Sequence, residues 1–137
     1  MVTQSAVIAN GTAFVGTTSN EELMAAYVPP PAWQWSFRGS VVALDVATGA
    51  VTWTTPDPLG SRAEAAVSVA NGVVFGCNLD YTNGTMYALD SSNGKVLWSF
   101  NSGGACNAGP AIADGVVFWG SGSTSGPGPL KLFAFGL

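Results

Sequence analysis

The 137 residues of this chain have the length of a single domain with one modest core. Hydrophobic residues make up 47% and charged residues 9% of the sequence, with 18 glycines, which is too apolar for a disordered chain and too glycine-rich for a helical bundle. The 4 scattered cations of a chain with net charge −4 cannot form the basic stripe that nucleic-acid binding usually needs, and the absence of histidine excludes Ser-His-Asp and Cys-His catalysis within this chain. No apolar run approaches the roughly 18 residues of a membrane span. The composition favours an all-β fold.

From the N-terminus onward, one short pattern recurs three times. An Asn-Gly or Asp-Gly pair lies between apolar segments at residues 9–16, 70–76 and 113–120. This pair between two such segments is the strongest short-range signal for a β-hairpin. We therefore predict three hairpins.

A second element follows each hairpin. It reads VALDVATGAVTW over residues 42–53 and YALDSSNGKVLW over residues 87–98, and its third copy starts at Leu132 and is cut short by the end of the sequence. One repeat of about 43 to 45 residues thus contains four predicted antiparallel strands, which is the unit of a β-propeller blade. A β-sandwich has similar strand spacing, but it does not need an Asp and a Trp at fixed offsets in every repeat.

The prediction is therefore a partial β-propeller formed by one segment, residues 1–137. It comprises two complete four-stranded blades and part of a third: a blade over residues 5–63 with an insertion at 17–39, a blade over 64–106, and a partial blade over 107–137. A propeller closes with about four to eight blades. We expect the chain to be a fragment of such a ring.

The residues that mark the second element have a mechanical explanation, so we interpret them as scaffold. The aspartates can accept hydrogen bonds from the turn that follows, the glycines can take a positive φ, and the tryptophans can wedge between blades. These residues are Asp45, Gly49, Trp53, Asp90, Gly94 and Trp98.

The motif Ala-Leu-Asp-x-x-Thr/Asn-Gly-x-Val-x-Trp resembles the blade motif of the pyrroloquinoline quinone (PQQ) repeat family. This family includes quinoprotein alcohol dehydrogenases and non-enzymatic propellers of the bacterial outer-membrane assembly machinery. The segments SGGACNAGPAI at 102–112, WGSG at 119–122 and KLFAF at 131–135 are similar to the C-terminal end of polyvinyl-alcohol-dehydrogenase-like quinoproteins. The resemblance covers most of the chain, except residues 17–39.

The resemblance implies a PQQ- and Ca²⁺-dependent oxidation of a small alcohol to a carbonyl, which we do not expect from this chain alone. The alternative is a non-catalytic scaffold that presents its loops to protein partners and binds no quinone. In either case the expected partners are the remaining propeller blades or further copies of the chain. Family members of this kind are periplasmic or secreted, although the N-terminus here shows no signal peptide.

Alternate loops of a propeller share a face, and functional residues favour long loops on a rigid scaffold. The predicted long loops cover residues 17–39, 78–84 and 121–130. On this face, Arg38 and Asn107 are the candidate cofactor contacts and Asp80 is the candidate calcium ligand, because the family places its cofactor near the axis. No catalytic residue is assigned. The insertion carries a PPPAWQW segment at 29–35, which we interpret as a packed lid, or alternatively as a cap on a planar cofactor.

Cys77 and Cys106 lie 29 residues apart without a CxxC pair. Two buried free thiols are the interpretation that we favour, and a disulfide in an exported protein is the alternative.

Overall fold

Three antiparallel sheets make up the computed structural model, which describes residues 2, 4–18, 38–122 and 128–136. Blade 1 contains β1 (Val7–Ala9), β2 (Thr12–Thr17), β3 (Ser40–Asp45) and β4 (Val51–Pro56). Blade 2 contains β5 (Ser68–Ala70), β6 (Val73–Cys77), β7 (Thr85–Asp90) and β8 (Val96–Asn101). Blade 3 contains β9 (Ala111–Ala113), β10 (Val116–Ser121) and β11 (Lys131–Phe135). In every blade the strands are hydrogen-bonded in chain order.

The inner hairpins form because their turn residues tolerate left-handed backbone. Asn10, Asn71 and Asp114 each have a φ of 49°, and the glycine that follows each of them has a φ between 75° and 77°. Two consecutive positive φ angles are the requirement of a type I′ turn, whose twist matches that of the paired strands. The Asn-Gly and Asp-Gly pairs are therefore needed at these turns for a steric reason.

The two four-stranded sheets share the same irregularity between their third and fourth strands. The register between β3 and β4 shifts between Ala43 and Leu44, and the register between β7 and β8 shifts at the equivalent pair, Ala88 and Leu89. The described residues contain strands, turns and irregular loops but no helix, so the prediction of an all-β fold with two four-stranded blades and part of a third is confirmed. Among these residues there is also no helix that is long and apolar enough to cross a membrane.

Each blade packs on the next through apolar side chains. We call the side of a blade that is turned to the following blade its forward face, and the opposite side its backward face. Since side chains alternate along a strand, the registers assign each residue to one of them. The core between blades 1 and 2 joins the forward face of blade 1 to the backward face of blade 2; it is formed by Phe14, Val41, Ala43, Val67, Val74, Tyr87 and Leu89.

Between blades 2 and 3 the core contains the two cysteines. Cys77 and Cys106 are joined by a disulfide bond and are buried beside Met86 and Trp119. The interpretation that we favoured from the sequence, two free thiols, is wrong. Cys77 ends β6 of blade 2, and Cys106 lies in the segment that leads into blade 3, so the bond ties two successive blades together.

Trp53 bridges the outer rim of blades 1 and 2. Its ring lies against Phe14, with centroids 5.8 Å apart, and its indole N–H donates a hydrogen bond to the carbonyl of Ser91 at 3.0 Å. Trp98, its equivalent in blade 2, stacks on Phe100 and contacts Phe135 edge-on, yet it is 38% exposed. The difference arises because blade 3 has no fourth strand among the described residues.

Candidate functional site

The long-loop face is the end of the blades where β2, β6 and β10 finish and the following strands begin. Part of it can be described in detail: the β6–β7 loop, the loop after β4 and the segments that lead into blades 2 and 3. The proposed Pro- and Trp-rich lid at 29–35 lies outside the described residues, as do residues 123–127.

Asp57 organises this face at the junction of blades 1 and 2. Its carboxylate is buried and accepts hydrogen bonds on Oδ2 from the backbone N–H groups of Leu59 (3.0 Å) and Ser61 (2.8 Å). On Oδ1 it accepts one from Asn78 Nδ2 at 3.0 Å and one from the hydroxyl of Tyr87 at 3.2 Å. A carboxylate at the end of blade 1 is thus satisfied by two side chains of blade 2.

Sequence reasoning missed this network, although one signal for it exists. Tyr87 occupies the position held by Val42 in blade 1 and by Phe133 in blade 3, so its hydroxyl is an exception in an apolar position. A buried hydroxyl requires a partner. Burial, followed by the charge of Asp57 and the hydrogen bond to it, raises the pKa of Tyr87 well above its ordinary value. The phenol therefore stays protonated and acts as a hydrogen-bond donor.

Arg38 lies where the chain enters β3 and is exposed. Its guanidinium passes over Gly60, where an added Cβ would lie 3.4 Å from Nε. Gly60 belongs to the loop that Asp57 holds, since its own N–H donates to the Asp57 carbonyl at 3.0 Å. The cation of Arg38 is therefore positioned beside an ordered loop on the long-loop face.

Asp80 has a turn-forming role in the β6–β7 loop. Its Oδ1 accepts hydrogen bonds from the N–H (2.8 Å) and hydroxyl (3.0 Å) of Thr82 and from the N–H of Asn83 (2.7 Å). Partial burial raises the pKa of Asp80, but the hydrogen bonds from Asn83 and Thr82 outweigh this effect and lower it overall. The described residues contain no group of three His, Cys, Asp or Glu side chains that could hold a metal ion. Oδ1 of Asp80 is thus committed to its own turn, and the assignment of Asp80 to a calcium ion stays a prediction.

Asn107 follows the disulfide directly and is exposed. The N–H of Cys106 donates to the Asn78 carbonyl at 3.0 Å, which links the segment before Asn107 to the loop of blade 2. A cleft of about 340 Å³ opens next to Asn107, and its lining includes Gly120, Ser121 and Lys131. Arg38 and Asn107 thus lie on the same face, one beside blade 1 and the other beside blade 3.

Arg38 and Asn107 are exposed on this face, and their guanidinium and carboxamide groups can both donate hydrogen bonds to carboxylates. The negative groups are engaged: Asp57 and Asp80 accept from their own surroundings, and Glu64 forms an ion pair with Arg62 at 3.8 Å. The described part of the face is thus better suited to hold an anionic group than a cation.

Comparison with known proteins gives consistent matches. A protein-family model described as the outer membrane protein assembly factor BamB matches residues 37–125. A polyvinylalcohol dehydrogenase of Pseudomonas sp. is 33% identical over a match that covers 69% of this chain and 19% of that protein. The chain therefore spans about a fifth of the length of this relative.

Solved structures resemble the chain in fold. A europium-containing methanol dehydrogenase matches 84% of this chain and 19% of its own, with a TM-score of 0.57 and 20% identity. BamB from Moraxella catarrhalis matches 81% of this chain and 27% of its own, with a TM-score of 0.55 and 21% identity. The three blades described above correspond to part of a larger propeller in both cases.

Proposed function

Because the chain belongs to the PQQ-repeat family of β-propellers, we propose that its three blades form part of the ring of a quinoprotein alcohol dehydrogenase. The observation that carries the proposal is the 33% identity with a polyvinylalcohol dehydrogenase. In such an enzyme the quinone accepts two electrons as an alcohol becomes a carbonyl, and the protein supplies orientation and electrostatics.

Within this ring, Arg38 and Asn107 would bind the carboxylates of PQQ. Support comes from their chemistry and position: both are exposed hydrogen-bond donors on the long-loop face, and nearby acidic groups already have partners. The loop held by Asp57 would keep Arg38 in place. These two residues would cover only part of a tricarboxylate, so the remaining contacts are left to other blades of the ring.

Asp80 is the weaker part of the proposal, as a single candidate calcium ligand. The turn around Asp80 uses its Oδ1 three times, and no set of three metal-binding side chains occurs among the described residues. Asp80 would therefore need further oxygen ligands from other parts of the protein or from water to hold a calcium ion.

The test is a titration of the 137-residue chain with PQQ, monitored by quinone absorbance and tryptophan fluorescence. We expect Arg38→Gln to weaken binding about tenfold, which corresponds to one lost charge-assisted hydrogen bond. Asn107→Ala should have a smaller effect. Lys95→Gln is the matched control, because Lys95 is exposed at the β7–β8 turn on the opposite face. Equal effects of Arg38→Gln and Lys95→Gln would refute the assignment.

A dye-linked assay with PQQ, Ca²⁺ and a small alcohol completes the test. We expect a spectral change on binding without turnover by this chain alone. If adding PQQ causes no spectral change, the assignment of Arg38 and Asn107 to PQQ is refuted, and the second candidate function, a non-catalytic scaffold for protein partners, is favoured. That alternative is favoured by the family model, which carries the description of an assembly factor and matches residues 37–125.

A further inference from the structure

We propose that Asn10 and Asn71 are sites of spontaneous deamidation, and that the fold protects Asn83 and Asn93, which are also followed by glycine. In this reaction the backbone nitrogen of the following residue forms a bond to the side-chain carbonyl carbon of the asparagine. The Cγ–Nδ2 bond breaks, and ammonia leaves with the proton of the backbone N–H. Water then opens the five-membered succinimide ring to aspartate or isoaspartate. Quinone binding plays no part in this reaction, so the inference goes beyond the proposed function.

The four Asn-Gly pairs are alike in sequence, and glycine favours the reaction at each of them because it has no Cβ to hinder the approach of its nitrogen. Differences in rate must therefore come from the fold. Three conditions matter: the glycine N–H has to be free, the asparagine carboxamide has to be free, and the peptide between them needs room to rotate.

Asn10 and Asn71 meet these conditions. Both are exposed, and neither side chain has a hydrogen-bond partner among the described residues. The carbonyls of Gly11 and Gly72 each accept a hydrogen bond at 2.9 Å, but their N–H groups have no backbone acceptor in the described part of the chain. A Cβ added at Gly11 would meet no atom within 4 Å, and one at Gly72 would meet only the Ser91 hydroxyl, at 3.9 Å. The turns thus have space for the ring.

The hairpins around these two turns are also the ones that open most easily. β1 and β5 are three residues long, and each pairs with a single neighbouring strand. Few hydrogen bonds have to break for such a hairpin to open locally, which requires much less free energy than unfolding of the blade. Opening frees the turn from its left-handed backbone and lets the glycine nitrogen reach the carboxamide.

Asn93 is in the opposite situation. The N–H of Gly94 donates to the carbonyl of Asp90 at 2.8 Å, so the attacking nitrogen is engaged. The carboxamide is engaged at both ends, since Oδ1 accepts from the N–H of Lys95 at 2.8 Å and Nδ2 donates to the hydroxyl of Ser92 at 3.2 Å. Each group that the reaction needs is therefore already in use.

Asn83 is protected by packing. Its Nδ2 donates to the hydroxyl of Thr82 at 3.1 Å. The carbonyl of Gly84 accepts from the N–H and the hydroxyl of Ser102, at 2.7 and 2.9 Å, and a Cβ at this buried glycine would collide with the carbonyl of Gly104. The peptide between Asn83 and Gly84 therefore has no room to rotate.

The third hairpin indicates which product harms the fold. Asp114 stands at the position of Asn10 and Asn71 and has the same φ of 49°. An aspartyl product therefore fits the turn and adds only one negative charge. An isoaspartyl product lengthens the main chain by one carbon, and a two-residue type I′ turn does not tolerate this.

The test compares the folded 137-residue chain at neutral pH with the same chain unfolded in guanidinium chloride. Peptide digestion and tandem mass spectrometry measure aspartate and isoaspartate at each site over time. In the folded chain we expect Asn10 and Asn71 to react at least about tenfold faster than Asn93, whose hydrogen bonds must break first. In the unfolded chain the four rates should be alike. The proposal is wrong if Asn83 or Asn93 reacts as fast as Asn71 in the folded chain.

Variants identify the sites independently. Glycine also accepts the positive φ of the turn, so a chain with both Asn10→Gly and Asn71→Gly should keep its fold, which circular dichroism can verify. Acidic species should accumulate in it at least about tenfold more slowly than in the parent, as measured by ion-exchange chromatography. Asn93→Gly is the matched control and should leave the parent rate unchanged. Equal rates of accumulation in the double variant and the parent would overturn the assignment.

Discussion

Replacing Asp57 by alanine should destabilise the junction of blades 1 and 2. The substitution removes the acceptor of four hydrogen bonds, two from backbone N–H groups and two from the side chains of Asn78 and Tyr87. The backbone groups belong to a partly exposed loop and can turn to water. Asn78 and Tyr87 are buried at 0% and 2% exposure and cannot do so.

The magnitude follows from these two orphaned donors. A buried polar group without a partner costs about 1–3 kcal/mol. Two of them predict a loss of about 2–6 kcal/mol in the free energy of unfolding, a large part of the 5–15 kcal/mol of an ordinary domain. Asp80→Ala is the matched control, because it also removes three hydrogen bonds of a carboxylate, but in an exposed turn. We expect that loss to be about 1 kcal/mol.

Urea unfolding followed by tryptophan fluorescence measures both losses. A double-mutant cycle with Tyr87→Phe then isolates the pair, and Asp57→Ala should cost less in the Tyr87→Phe background, where one orphaned donor is absent. The reasoning is refuted if Asp57→Ala costs under 1 kcal/mol or no more than Asp80→Ala.

Three further changes have defined outcomes. Gly94→Ala should cost about 2–4 kcal/mol, because a Cβ would lie 2.6 Å from a ring carbon of the neighbouring tryptophan. Gly49→Ala has the same φ of 74° but open space around it, so it should cost only about 1 kcal/mol. Cys106→Ser should cost about 3–4 kcal/mol, since the disulfide closes a loop of 29 residues in the unfolded chain. Finally, hydrogen bonds from following turn residues lower the pKa of Asp45 and Asp90 below 3.8. Their stabilisation is present above that pH and is lost as the pH falls through the lowered values, so the melting temperature should drop there, and less so in an Asp45→Asn, Asp90→Asn variant.

Each of these has a contrary result. Equal costs for Gly94→Ala and Gly49→Ala would mean that contact with the indole does not matter at the rim. If the Cys106→Ser variant and the oxidised parent have the same free energy of unfolding, the disulfide does not stabilise the fold. If both aspartates are replaced and the melting temperature still falls with the same slope below pH 3.8, other carboxylates are responsible.

The local parts of the fold could be predicted because their causes are local. An Asn-Gly pair specifies a type I′ turn through its own φ angles. Alternating apolar residues specify strands independently of how the blades are arranged in the ring. Contacts between blades do not have such local causes. Asp57 meets Tyr87 across 30 residues, and Cys77 meets Cys106 across 29, so both pairings depend on how two sheets are stacked. No spacing rule in the sequence encodes that stacking.

The candidate site shows the same division. The order of strands and loops along the sequence is sufficient to place three candidate residues on one face of the blades: Arg38, Asp80 and Asn107. The hydrogen bonds that commit Asp80 to its turn are visible only once the loop is built. The assignment of Arg38 and Asn107 to a quinone stays a prediction.

Gly16 of blade 1 and Cys77 of blade 2 occupy equivalent positions, and the segment that leads into the following blade crosses each of them. Blade 2 therefore contains both halves of the contact, a forward surface that is crossed at Cys77 and a leading segment that crosses Gly16 of the blade before it. A tandem duplication in the gene would therefore deliver a new blade already complementary to both neighbours. Deletion of one blade would leave two surfaces that still match. The number of blades can therefore change in a single genetic step without a new kind of interface, and Cys77–Cys106 is the crossing that is covalent in this chain.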